Sequence, residues 1–220
     1  PPARRLIRFF DPAEPGFVGR MLRIMLVMVG LVLCGLCALA LQWSRSPTGR
    51  YWTGVVALQA GAYERAERTA AGLVADYPDR TFAYYRLWAA ALRRGGKSEA
   101  QLQVFDDAAR AFPDDWQVQS NRCWYGALFG DPRAALPACD LAVSLAPTGE
   151  DQPFGRRAVA RALAGDREGA IADLETQIDY WERVGYSGSR YRSRSAWLET
   201  LRAGGDPFDQ ETLDRLRSSF

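Results

Sequence analysis

The chain contains no histidine among its 220 residues. That removes the side chain that most often serves as general base, neutral-pH switch, or nitrogen ligand to zinc or haem. There is one lysine, Lys97, against 27 arginines, which we read as genome composition rather than function. No Gly-x-x-x-x-Gly-Lys-Ser/Thr loop and no Gly-x-Ser-x-Gly elbow occurs, so the usual phosphate cradle and hydrolase nucleophile are missing. Only carboxylates are left to a catalyst, and we expect a protein that is not an enzyme and carries no cofactor and no metal.

Excess charge is also scarce, and it is unevenly placed. Residues 1–43 hold Arg4, Arg5, Arg8, Arg20 and Arg23 against Asp11 and Glu14, a balance of +3; residues 44–220 hold 23 basic and 24 acidic groups, a balance of −1. A near-neutral domain lacks the basic footprint of a nucleic-acid binder, so no nucleic-acid partner is expected.

What the sequence does have is one long apolar run. Ile24 to Leu41, IMLVMVGLVLCGLCALAL, is 18 residues without a charge. As a helix it spans ~27 Å, against roughly 30 Å for a bilayer core. Met21 and Leu22 extend it, Arg23 can snorkel to a headgroup, and Trp43 suits the interface. The rival is a cleaved signal peptide ending near Ala38-Leu39-Ala40, but the run is long for a signal core. A lipoprotein box is disfavoured by Leu33 and Leu36 before Cys34 and Cys37. Five arginines precede the run, and only Arg45 and Arg50 lie within the same reach beyond it. The positive-inside rule then places the N-terminus in the cytoplasm and the bulk of the chain on the periplasmic side. Residues 4–10, RRLIRFF, read either as a short amphipathic piece on the inner headgroups or as a loose basic tail. Within the run, Gly30, Cys34, Cys37 and Ala38 follow i, i+4, i+7, i+8, one face of small residues against which another helix can pack. Cys34 and Cys37 have no second pair and no histidine near them, so their Cys-x-x-Cys spacing reads as filler or contact rather than a redox or metal site.

Beyond residue 48 the chain repeats itself. The segments GAYERAERTAAGLVADYP (61–78), GKSEAQLQVFDDAARAFP (96–113), GDPRAALPACDLAVSLAP (130–147) and GDREGAIADLETQIDYWE (165–182) begin at glycines 34 or 35 residues apart. Pro78, Pro113 and Pro147 keep the same step, and Ala66, Ala135 and Ala170 fall five residues after their glycines. The second segment has Gln101 there, with Ala100 beside it, and its Gly95-Gly96 pair suggests one extra residue in the turn. The fourth lacks the closing proline. A 34-residue period with a glycine turn and a closing proline resembles the tetratricopeptide repeat over residues 49–182, and CWYGAL with ACDLAV, ARALAGDREGAIADLE and WLETLRAGGDPFD together resemble a family of bacterial tetratricopeptide proteins, here of a membrane-anchored type. The resemblance implies an all-α chain: one N-terminal transmembrane helix, then an α-solenoid of about four helix hairpins with a C-terminal capping helix. Small residues such as Ala66, Ala108, Ala135, Ala142 and Ala170 let paired helices approach closely, glycine relieves each turn, and proline stops the second helix. Tyr63 and Phe105 are expected to plug between hairpins. The expected divisions are a cytoplasmic segment 1–20, a transmembrane helix 21–43, a repeat domain 44–182, and a linker with capping helices 183–220. Asp209 can cap a last short helix whose apolar contacts are Leu213 and Leu216.

On such a hairpin the turn centres near Asp131, with Cys123 eight residues before it and Cys139 eight residues after it. Equal distances from an antiparallel turn put the two side chains level. A disulfide would close a loop of about 17 residues and add ~3 kcal/mol in chain-entropy terms, given an oxidising compartment; the alternative is a pair of buried free thiols. Two cysteines without histidine cannot build a zinc site. The resemblance also implies that the first helix of each hairpin lines a concave face. Tyr51, Leu58, Tyr85, Arg93, Trp124 and Leu128 are then candidates for a partner groove, with Tyr85 and Trp124 readable equally as packing between hairpins. Tyr180 to Ser195, YWERVGYSGSRYRSRS, reads as a break in the helical pattern. Its Arg190, Arg192 and Arg194 are either a solvated linker or a docking segment for an acidic partner or anionic lipid.

Three classes of function remain. The first is a non-catalytic accessory or scaffold subunit of a larger membrane complex, touching other protein subunits and the lipid bilayer. The second is a free membrane-anchored adaptor or assembly factor that binds client peptides. The third, an enzyme or cofactor carrier, is disfavoured by the missing histidine.

Overall fold

A computed structural model describes residues 17–218. The expectations for Arg4, Arg5, Arg8, Asp11, Glu14 and the 4–10 stretch lie outside the described residues, as do the side chains of Arg20 and Arg23. Among the described residues there are eleven α-helices, one short 3-10 turn and no strand. The chain divides into two compact units, residues 1–52 and 53–220.

The first unit holds α1, Phe17–Arg45. From Ile24 to Arg45 this helix is long and apolar enough to cross a membrane, and among the described residues its apolar window is not buried. Leu26, Leu31, Leu36, Leu39 and Leu41 all stand exposed, as do Cys34, Cys37 and Ala38. Ser46 alone separates α1 from α2, Pro47–Gln59. Its hydroxyl donates to the Trp43 carbonyl at 2.6 Å and accepts from the Gly49 N–H at 3.0 Å, capping α2 as a serine N-cap does. The unit boundary falls within α2.

The second unit runs on through α3 (Tyr63–Asp76), α4 (Phe82–Arg94), a 3-10 turn (Ser98–Ala100), α5 (Gln101–Ala111), α6 (Trp116–Phe129), α7 (Pro132–Leu145), α8 (Gln152–Leu163), α9 (Arg167–Arg183), α10 (Ser189–Arg202) and α11 (Gln210–Ser218). Each helix from α3 to α9 packs on the next, and α6 also packs on α8. The period seen in the sequence is therefore a period of helix pairs.

The turn chemistry explains where the helices stop. Gly61, Gly96 and Gly165 have φ of 76°, 77° and 89°, where a side chain is strained. Each sits in a turn where the next residue's N–H returns five residues: Ala62 to the Ala57 carbonyl, Lys97 to Leu92, Asp166 to Arg161. Gly130 differs, with φ −125°; its turn is one residue shorter and Asp131 at once caps α7 by accepting from the Arg133 N–H at 2.9 Å. Pro78, Pro113 and Pro147 each fall two residues past the last helical residue, Asp76, Ala111 and Leu145. Lacking that proline, α9 runs 17 residues, against 14 in α3 and α7.

Two expectations are corrected. The second hairpin carries no extra turn residue: Gln101 itself occupies the alanine position, only 1% exposed, and donates to the Ser98 carbonyl at 3.1 Å. Ala100 is exposed instead. The stretch 180–195 is not a linker either. Only 184–188 lies outside helix, and Arg190, Arg192 and Arg194 all belong to α10.

The last helix, α11, is capped by Asp209, which accepts from the Thr212 N–H at 2.8 Å; that bond holds the Asp209 carboxyl below its usual range. Leu213 and Leu216 are half-buried. The helix folds back to α6, where Arg217 Nε donates to the Leu128 carbonyl at 2.9 Å.

A Cβ at position 165 meets nothing within 4 Å, so any cost of replacing Gly165 is backbone strain alone. Gly165→Ala is expected to lower unfolding stability in urea by about 1 kcal/mol, and Gly165→Asn by less, since asparagine tolerates the left-handed region. Equal losses in the two variants would contradict this account of the turn.

Candidate functional site

The first helices of the hairpins were the expected docking surface, and four of the six candidates are core instead. Leu58, Tyr85, Trp124 and Leu128 are buried, Trp124 to 1% exposure. The Tyr85 ring meets Phe112 edge-on with centroids 6.0 Å apart. Arg93 is half-buried; Tyr51 is half-buried too and belongs to the first unit. Helices packed on both sides bury their large aromatic residues between hairpins, as Phe105 does by stacking on Tyr125 at 4.7 Å and leaning on Phe82 at 6.3 Å. An aromatic on a first helix is therefore weak evidence for a groove.

Cys123 and Cys139 face each other across the α6–α7 hairpin. Their sulfurs are 2.15 Å apart and their Cα atoms 4.7 Å apart, a disulfide-capable pair. Both are fully buried, in a cluster with Ala127, Ala135, Ala138 and Ala160. Small neighbours leave the two backbones close enough for the sulfurs to meet.

The richest polar chemistry gathers around α8, whose segment RRAVAR carries three arginines. On one face, Arg157 grips the buried Asp173 of α9 with two parallel hydrogen bonds, Nε to Oδ2 at 2.9 Å and Nη2 to Oδ1 at 2.7 Å, and reaches Asp140 of α7 at 2.9 Å. Arg161 adds a 3.0 Å bond to Asp173 and stands 3.6 Å from Asp166. Burial works against the Arg157 charge, but the hydrogen bonds it donates to Asp173 and Asp140, with their negative charges, overcome it and hold its pKa above the ordinary value.

Arg156 points elsewhere. It is 8% exposed, and its Nη1 donates to Ser120 Oγ at 3.1 Å and Asn121 Oδ1 at 3.3 Å, both on α6, with the Trp124 ring centroid 5.9 Å away. Burial pushes its guanidinium down to about 10. On α10, the half-buried Arg194 lies 4.0 Å over the Trp197 ring. Burial, then the charges of Arg156 and Arg190, push it down to about 9, opposed by Asp151. Both groups stay cationic at neutral pH. Sequence reading missed Arg156 altogether; the available signal was an arginine flanked by Gly155 and the Ala158-Val159-Ala160 run, all of them buried.

The chain matches no protein-family model and no curated protein. Among solved structures it is similar to the crystal structure of a thermophilic TPR protein of Thermus thermophilus, at 22% sequence identity and a TM-score of 0.51. The match covers 77% of this chain and 96% of that one. The fold is thus all-helical and TPR-like.

Asp173 is the shared carboxylate of two arginines and is 3% exposed. Asp173→Asn leaves both partially buried cations short of a counter-charge and is expected to cost about 3 kcal/mol in chemical denaturation. Asp140→Asn, at a far more exposed position, is expected to cost under about 1 kcal/mol. Similar losses at the two sites would contradict this division.

Proposed function

We propose that the protein is a non-catalytic, single-pass membrane-anchored accessory or scaffold subunit, held by α1 and reaching other protein subunits of a membrane complex with its repeats. The observation that carries this reading is the joining, in one chain, of an unburied apolar helix of spanning length to a TPR-like array. Helix hairpins with no enclosed catalytic constellation among the described residues offer extended surface rather than a reaction chamber. A spanning helix adds a second contact, in the bilayer plane.

The repeats lie on the periplasmic side in this reading. Its supports are the arginine asymmetry around Ile24–Leu41 and the disulfide-capable Cys123–Cys139 pair, which is useful only where thiols oxidise. The helix contributes its face of small residues, Gly30, Cys34, Cys37 and Ala38. A Cβ at Gly30 meets nothing within 4 Å among the described residues, so leucine there is opposed only by a neighbouring helix in this reading.

Two measurements test this. A membrane-impermeant protease applied to the periplasmic side should digest residues 44–220, and non-reducing peptide mapping should recover the Cys123–Cys139 link. Full protection of the repeats, or two freely alkylated thiols in the unfolded, unreduced chain, would overturn the assignment. The double variant Gly30→Leu/Cys34→Leu should leave the repeats folded yet lower the stoichiometry of co-purified membrane subunits. Wild-type stoichiometry would reduce α1 to a tether.

A further inference from the structure

We propose that the exposed tip of the α9–α10 hairpin, formed by Arg183, Val184, Tyr186, Arg190 and Arg192, is a docking surface for an acidic segment of a partner protein. The inference rests on the scaffold reading above and deepens it, naming where the repeats meet a partner and the chemistry that partner carries.

The tip is strongly and locally basic. From Arg183 to Leu198 the chain has four arginines and no carboxylate, within a stretch 44–220 whose balance is −1. Arg183, Arg190 and Arg192 are all exposed. None of the three has a carboxylate within ion-pair distance among the described residues. Other exposed arginines of the second unit, such as Arg110, Arg122 and Arg202, stand against Asp107, Asp106 and Glu175. Glu182, next to Arg183 in the chain, already accepts from the Tyr191 hydroxyl at 2.8 Å.

Packing gathers these side chains and holds them in place. Gly185 takes φ 72°, and the Tyr186 N–H returns to the Trp181 carbonyl at 2.8 Å, so the chain reverses directly after α9. The buried Trp181 then serves as a post, with the Tyr186 ring 5.3 Å from it and the Tyr191 ring 6.5 Å. Tyr191 lies between Arg190 and Arg192 in the first turn of α10. Both arginines are thereby carried to the end of the hairpin where α9 stops at Arg183. Two of the guanidiniums are steadied by bonds to carbonyls, Arg183 Nε to Asp179 at 3.3 Å and Arg192 Nη1 to Ser187 at 3.2 Å. Each keeps further N–H donors, and an arginine fork matches a carboxylate with two parallel bonds. Donors placed beforehand lower the ordering cost of binding.

An acidic protein segment fits this tip better than a lipid surface. Val184 projects, 57% exposed, and offers an apolar contact beside the charges. Tyr186 lies back on the hairpin, its hydroxyl over Gly188, where an added Cβ would collide with it. One projecting valine is a small anchor for a bilayer. Arginine and tyrosine are side chains that dominate protein interfaces.

The test uses the full chain in non-ionic detergent at low salt. The probes are a fluorescein-labelled EEFEEF peptide and its neutral counterpart QQFQQF, read by anisotropy. The variants are Arg190→Gln/Arg192→Gln at the tip and, with the same change in net charge, exposed Arg86→Gln/Arg94→Gln on α4. EEFEEF should bind wild type more tightly than QQFQQF does, and added salt should weaken it. The tip variant should lose about tenfold in affinity while the α4 variant keeps it. If the tip variant does not fold, Arg190→Gln carries the comparison, since that side chain makes no hydrogen bond among the described residues. The proposal is overturned if EEFEEF binds no better than QQFQQF, or if the α4 variant loses as much as the tip variant. Amide hydrogen exchange in phosphatidylcholine nanodiscs, with and without phosphatidylglycerol, then reads the other occupant: protection of residues 184–192 by phosphatidylglycerol without EEFEEF binding makes the tip a membrane contact and overturns the proposal too. Failure of EEFEEF with co-purified subunits unchanged strikes this site and leaves the scaffold reading standing. EEFEEF binding by a chain that co-purifies with nothing supports the site and strikes that reading.

Discussion

The second unit depends on one close approach, repeated along the chain: the first turn and a half of each hairpin's second helix against the helix before it. Ala135 and Ala170 occupy that point and are almost completely buried. At the third hairpin the partner is Gly126, where an added Cβ would stand 2.9 Å from the Ala135 Cβ. Interaxial separation is set by the side chains at the crossing, so small residues there fix the hairpin. The left-handed glycines and closing prolines work around that contact by ending each helix where the next must start. The same approach brings Cys123 level with Cys139. The exception follows the same logic, since Gln101 enters the alanine niche only by turning its amide onto the Ser98 carbonyl.

Charge is layered on that frame unevenly. Between α7, α8 and α9, arginines and aspartates are matched, and Asp173 ties two arginines to the last full hairpin. At Arg156 the partners among the described residues are the neutral oxygens of Ser120 and Asn121. Compensated charge stabilises an array from within, whereas a buried cation paired only with neutral oxygens is not repaid for its desolvation. Both halves of this contrast occur on one twelve-residue helix, at neighbouring positions Arg156 and Arg157.

The fold was legible because a repeat writes the same physical constraint several times. Glycines 34 or 35 residues apart, prolines in step and alanines in phase identified the hairpins, and equal spacing about Asp131 brought the two cysteines together. The surface was not legible, for a reason particular to repeats. A helix flanked on two sides buries Tyr85, Trp124 and Leu128 between neighbours, and sequence does not separate an aromatic facing a neighbour from one facing a partner. Small polar residues and alternating arginines made 180–195 look broken, yet tertiary packing of Leu198 and Leu201 holds α10 as a helix. Arg156 was invisible because its meaning lies in what Ser120 and Asn121, about 35 residues earlier, fail to supply.

The proposed role makes this chain one component of a larger membrane assembly, with α1 and the repeats both committed to partners. The most direct test is the composition of the particle obtained when the wild-type chain is extracted in gentle detergent and every co-eluting chain is identified and counted. The account predicts a defined set of membrane subunits at constant stoichiometry with the 24.5 kDa chain through successive columns. Elution of the chain alone, or with a shifting population of client peptides, would contradict it.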